Sequence, residues 1–274
     1  MTRIISIVLT LALLSVSAYA EKESKNDDQY IGTNYKSMSL GGATGYISTP
    51  NANTGWESKW FSMDWGYHFV DSYFSANPEF MSHIPKVMFQ FFGLLEVGMT
   101  IDFQSPENND IILPVKLRFY GKGQSAAAIG GNFQIINFDN KNPKITELAG
   151  QLYFVYTYSG SVFSWPAETS IVVGYTFRKS MLANIDFSMG FDLNIAPDYL
   201  KGYVHWITDF ANYSYSINPR SGVNNYDRGV LNTGFRIIFM QDKNFKLNLD
   251  ILFLDLLDNN RGFSAGITMG VPFM

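Results

Sequence analysis

The chain has 274 residues, with 20 Lys and Arg against 24 Asp and Glu, a net charge of −4. That balance excludes a nucleic-acid binder, which needs a basic face, and the absence of cysteine excludes a disulfide framework or a lipidated-cysteine anchor. Only 16% of residues are charged while 16% are aromatic. Soluble domains carry roughly 25% charged residues, so this chain must place a large apolar surface outside an ordinary soluble core.

The first element is a leader. Met1, Thr2 and Arg3 precede an apolar run from Ile4 to Val16, and Ser17-Ala18-Tyr19-Ala20 supplies small residues at a cleavage point. This is the pattern of a secretory signal peptide, and the run is shorter than the about 20 residues of a spanning helix. Residues 1–20 are therefore set apart. Residues 21–40 are polar, and Ala43 to Thr49 reads as a short strand ended by Pro50. The stretch 21–58 forms an N-terminal segment with three open placements: in the periplasm, as a plug in a lumen, or as an extra strand pair.

From 59 to 274 the apolar residues fall at every second position. Phe61, Met63, Trp65, Tyr67 and Phe69 share one face, while Ser62, Asp64, Gly66 and His68 share the other. Leu95 to Phe103, Leu113 to Phe119, Ile185 to Ile195, Leu231 to Phe239, Phe245 to Phe253 and Phe263 to Phe273 repeat the pattern. Strands send successive side chains to opposite faces, so each segment has one greasy and one polar side. The segments run about ten residues, the length of a tilted transmembrane strand, and their polar faces are small, as suits a curved barrel interior. After the leader the sequence has no second long apolar run, so no helix spans a bilayer. In lipid a sheet must close on itself to pair its backbone.

The spacing predicts strands near 59–69, 86–92, 95–104, 111–120, 126–137, 147–158, 168–178, 183–195, 202–217, 229–240, 245–256 and 262–273. The fold class is therefore all-β, a single antiparallel transmembrane barrel of about twelve strands, or up to fourteen with an N-terminal pair. Placing Phe273 at the inner edge of an outer membrane makes 93–94, 121–124 and 241–244 short inner turns and most other connections longer outer loops. Two connections fit this less well: 160–167 is long for an inner turn and 178–183 is short for an outer loop. The segment 203–217 is long enough to hide a hairpin.

The alternation points Asp64, Glu96, Asp102, Lys116, Arg118, Asp186, Asp192, Arg236, Lys246 and Asp250 inward, a candidate pore lining with acids in excess. The same charges could instead pair across a filled interior, and a barrel of this size sits between those two cases. No phosphate loop, zinc motif or nucleophile elbow occurs, so neither an enzyme nor a cofactor is expected. The histidines are His68, His83 and His205. A hydrolytic site at the outer rim using His68 and His83 is the least favoured reading, and binding through Tyr73, Phe74, Phe80 and Tyr226 in the outer loops is another.

One stretch carries a family pattern. Gly42-Ala43-Thr44-Gly45-Tyr46-Ile47-Ser48-Thr49-Pro50-Asn51-Ala52, followed by the aromatic alternating segment Trp60–Phe69, resembles the opening of YjbH-type outer-membrane barrels. Asn53 stands where the family pattern would have a basic residue, and the chain is shorter than the large members. The resemblance implies an outer-membrane barrel linked to exopolysaccharide or capsule production, with membrane lipid, polysaccharide or export machinery as partners. The expected function is a narrow pore or an export-associated barrel.

Overall fold

A computed structural model describes residues 36–56, 59–71, 81–104, 108–136, 147–178, 181–217, 229–241, 244–257 and 261–273. The leader and Tyr73, Phe74, Phe80 and Tyr226 lie outside the described residues. Twelve strands form the wall: β1 Phe61–Asp71, β2 Met81–Phe91, β3 Leu95–Gln104, β4 Asn108–Lys122, β5 Ser125–Ile136, β6 Glu147–Val162, β7 Trp165–Arg178, β8 Met181–Asn194, β9 Val204–Ala211, β10 Val230–Gln241, β11 Lys246–Leu254 and β12 Gly262–Phe273. Each pairs antiparallel with its sequence neighbour, and β1 pairs with β12 from Phe61↔Phe273 to Asp71↔Phe263, closing the barrel. Closure leaves no free edge, the condition for crossing lipid with strands.

The outward face is apolar along the wall. Val97, Met99, Leu117, Ile129, Phe133, Leu152, Ile171, Phe187 and Phe235 are all exposed. Exposed apolar surface this continuous is built for lipid rather than water. Aromatic rings gather at the end that carries both barrel termini: Phe61 lies 5.2 Å from Phe273 and 5.3 Å from Phe91, centroid to centroid. Phe163 and Tyr199 stand fully out at the same end, a girdle at the interface.

Several boundaries differ from the sequence expectation. The wall strand predicted from 86 starts at Met81, because Asp71↔Met81 and Val70↔Ser82 already pair. The connection expected to be long over 160–167 is the two-residue turn Phe163-Ser164, since pairing continues to Val162↔Trp165. Both turn residues have positive φ, 51° and 68°, as a tight hairpin turn requires. That geometry usually selects Asn-Gly, so Phe-Ser gave no signal. The long segment 203–217 hides no hairpin. β9 stops at Ala211, and residues 212–217 fold inward with Tyr213, Tyr215 and Ser216 buried. A single helical turn, α1 (Pro197–Leu200), joins β8 to β9 at the terminal end.

Candidate functional site

Inside the wall runs the segment 36–56, and every one of its residues is buried. It does not extend the sheet, because β1 and β12 already pair with each other. It folds on itself instead. Leu40 N–H donates to Ile47 O at 2.8 Å, Tyr46 N–H to Thr49 O at 2.9 Å and Asn51 N–H to Thr44 O at 3.1 Å. Gly45 allows this tight path: a Cβ there would lie 2.4 Å from Thr49 O and 2.7 Å from Pro50 Cα. The motif Gly42–Ala52 is thus the compact middle of a plug.

The plug is held by inward side chains of the wall. Asp209 on β9 accepts three successive backbone N–H groups through Oδ2, from Ile47 (3.2 Å), Ser48 (2.6 Å) and Thr49 (2.8 Å). Consecutive N–H groups converging in this way form an anion-binding concavity. Arg236 on β10 grips Asp250 on β11 with both fork nitrogens, at 2.9 and 3.0 Å. Its remaining donors reach Gly45 O at 3.0 Å and Tyr46 O at 3.1 Å. The planar guanidinium suits this double duty.

Lower in the lumen Glu96 and Lys116 pair at 2.9 Å. Glu96 accepts from Thr44 N–H, the Thr44 hydroxyl and Gly55 N–H, while Lys116 donates to Asn53 O at 2.6 Å and Thr44 O at 3.1 Å. Asp64 and Lys246 pair at 2.6 Å beside Trp56, whose indole N–H donates to Asp64 at 2.8 Å. Lys246 Nζ also lies 5.1 Å above the Trp56 ring. Glu168 on β7 accepts from Asn51 at 2.9 Å and Asn53 at 2.7 Å.

Tyr46 completes the plug's contact with β7 and β8. Its hydroxyl lies 2.8 Å from Ser170 Oγ and 3.3 Å from Glu168. Burial, reinforced by Glu168, pushes this phenol well above its ordinary range, so it stays protonated. Gly190 leaves the room for the ring, since a Cβ there would lie 2.0 Å from it. At the far end Tyr215 donates to Asp102 at 3.0 Å and packs with Leu40, Ile47, Val70, Ile84, Ile207 and Leu252 in an apolar layer.

All ten charges placed inward by alternation are buried and face the lumen. Asp64, Glu96, Lys116, Arg236 and Lys246 touch the plug directly, and Asp250 does so through Arg236. Asp102 meets Tyr215, Asp186 accepts from Gln151 (2.8 Å) and Thr176 (2.6 Å), and Asp192 faces His205 Nδ1 at 2.6 Å. Arg118 faces inward near the terminal end of β4. Asp209 and Glu168, central to the plug's attachment, were not singled out by sequence. They lie at inward positions of strands whose alternation would have found them.

The histidines do not assemble. His68 points inward, 3.4 Å from Asp250. His83 lies within β2, not in a loop, and its exposed side chain bonds the outward Tyr67 hydroxyl. The wall therefore separates His68 from His83. Among the described residues no group of three His, Cys, Asp or Glu side chains could hold a metal ion.

No protein-family model and no curated protein matches the chain. Solved structures similar to it include a KdgM porin in complex with disordered oligogalacturonate, at 8% identity and a TM-score of 0.49, over 78% of this chain and 99% of that one. A NanC porin is similar at 10% identity and 0.48, over 78% and 100%. The Acinetobacter baumannii outer membrane protein Omp33 is similar at 9% identity and 0.44, over 79% and 99%.

Proposed function

We propose that the protein is a gated narrow pore of the outer membrane, closed when residues 36–56 occupy its lumen and open to small polar solutes when that plug is displaced. The observation that carries this reading is the chemistry of the plug's attachment. Its polar anchors are carboxylates, a guanidinium and ammonium groups of the wall, beside the apolar contacts of Leu40, Ile47 and Ala52. Hydrogen bonds exchanged for water cost only about 0.5–1.5 kcal/mol net each, so polar anchors can be released one after another into a hydrated lumen. Once freed, the same acids and bases would line the pore and set its selectivity.

The link to exopolysaccharide rests on the resemblance of Gly42–Ala52 to YjbH-type barrels. In that reading the family-like motif is the moving part, and a polysaccharide or an export partner would be what moves it.

Single-channel recording of the mature chain refolded into a planar bilayer tests the proposal, with Asp209→Ala as the released variant. A mostly silent wild type and a variant with frequent stepwise currents are expected. A variant that folds, as judged by its altered gel migration before boiling, yet stays silent would overturn it. So would a wild type that is steadily open.

A further inference from the structure

Both ends of the plug lie at the same mouth of the barrel. Lys246, the first residue of β11 at the terminal end, donates to Lys36 O at 3.1 Å and to Gly55 O at 3.4 Å. Its ladder partner Gly270 stands opposite Asp64, near the start of β1. Thr54 donates at 2.9 Å to Gly93 O, in the turn between β2 and β3. Between these two legs the chain climbs and turns back. Leu40 and Ile47 pack with Val70, Ile84 and Leu252 toward the outer end, and Leu40 N–H bonds Ile47 O there. The plug is therefore a loop whose legs stand at the terminal mouth and whose turn points outward.

A strap crosses the outer end above that turn. It is the 212–217 stretch that leaves β9 and folds inward, and it is fastened on both sides of the mouth. The Tyr213 hydroxyl lies 2.6 Å from Ser188 Oγ on β8. Tyr215 donates at 3.0 Å to Asp102 on β3, and β3 lies six strands from β9 in a ring of twelve, directly across the lumen. Gln134 on β5 donates to Ser216 Oγ and accepts from Ile217 N–H, both at 2.8 Å. The strap rests on the plug. Tyr215 packs with Leu40 and Ile47, and a Cβ on Gly41 would lie 3.1 Å from Tyr215 O.

We infer that the plug leaves the lumen through the terminal mouth, as a loop drawn out by its legs, and that what releases it acts from that side. The inference rests on the plug reading and adds a direction, inward in the orientation set by Phe273. Outward movement would drive Leu40, Gly41 and Ile47 into the strap and drag both legs through the length of the barrel. Inward movement brings the turn down behind legs that already stand at the mouth. The anchors to Glu96, Lys116, Lys246 and Asp209 break in either direction, so they set how hard release is and not where it leads. One chain across the mouth bars a folded segment of 21 residues far more than a small solute, so the strap can stay in place while the pore conducts. A partner that binds the withdrawn plug and not the seated one shifts the equilibrium by that difference in affinity, and it meets the withdrawn plug on the terminal side. A ligand arriving from outside meets the strap first.

The chain has no cysteine, so one introduced thiol reports the direction. Ser48→Cys marks the plug, and Asp209→Ala releases it, with Asp209→Asn in its place should that variant not fold. Intact cells and opened outer membranes are treated with a maleimide carrying a polyethylene glycol chain too large to pass the barrel. Labelling should appear in opened membranes and be at least tenfold slower on intact cells. Equally fast labelling on intact cells would overturn the direction and leave the pore reading standing. No labelling in either preparation would overturn both, because the plug would then never leave. A second measurement locks the strap by joining Tyr215→Cys to Asp102→Cys with a bifunctional thiol reagent. The lock should leave the open probability of Asp209→Ala unchanged, and a locked strap that silences the channel would place the exit on the outer side and overturn the inference.

Discussion

Asp209 on the wall and Ser48 on the plug are separated by 161 residues of chain, yet the Ser48 amide nitrogen lies 2.6 Å from the Asp209 carboxylate. Ile47 and Thr49 N–H groups share that oxygen, while Asn232 donates to the other at 2.8 Å. One carboxylate therefore satisfies a run of backbone donors that cannot pair with each other.

Removing that clasp should open the pore. Asp209→Ala leaves three buried N–H groups without an acceptor, and each such orphan costs roughly 1–3 kcal/mol. A loss of about 3 kcal/mol in the closed state raises the open fraction by roughly a hundredfold. Asp209→Asn keeps an acceptor oxygen and should give a smaller rise. Open probability in bilayer recordings reads both, and equal values for the two variants would contradict the clasp.

The Glu96–Lys116 pair should behave as a coupled unit. Both side chains are fully buried, so Glu96→Gln alone strands the lysine charge, a change that costs about 3–5 kcal/mol in buried pairs. The double variant Glu96→Gln with Lys116→Met removes the stranded charge and should recover part of the loss. The temperature at which the folded gel band disappears measures this, and a double variant less stable than Glu96→Gln would refute it.

Gly190→Ala should disturb the plug without harming the wall. Its Cβ would fall inside the Tyr46 ring, so the ring and the Gly45–Tyr46 carbonyls held by Arg236 must shift. Increased open probability is expected. Added to Tyr46→Ala, the same change should have little further effect, because the clash is gone. A full additional effect in the double variant would show that Gly190 acts through something other than Tyr46.

The outward face is predicted to be intolerant of charge where the inward face is not. Leu152 faces out near the middle of β6, while Gln151 beside it faces in. Arg or Lys at mid-depth on the lipid face costs about 2–4 kcal/mol. Leu152→Arg should lower the fraction that folds into detergent or lipid, seen as loss of the fast-migrating unboiled band. Gln151→Lys should leave that fraction near wild type.

The strands were legible because alternation is a local signal. β3 and β12 occupy the ranges 95–104 and 262–273 expected from period-two patterning, and the inward set followed from the same parity. Asp102, Asp186 and Arg236 could be assigned to the lumen without knowing what they touch. β9 was read too long because Tyr213 and Tyr215 continue the alternation past Ala211, where hydrogen bonding with β8 and β10 ends.

What the amino-acid order alone determined is the wall, with its two faces, its closure and about twelve to fourteen strands, since a greasy face every second residue has one stable arrangement in lipid; the structure sets the number at twelve. The tertiary structure decided what fills it. Within 36–56 the sequence suggested only a short strand at 43–49, where the structure has the isolated bridges Met38↔Thr44 and Gly45↔Pro50, and the segment's bonds run to Glu96, Glu168, Asp209 and Arg236, tens to nearly two hundred positions away. No local pattern encodes such partners. Barrel closure brings those distant inward side chains around one lumen, and only there do the plug's backbone N–H and C=O groups meet their counterparts.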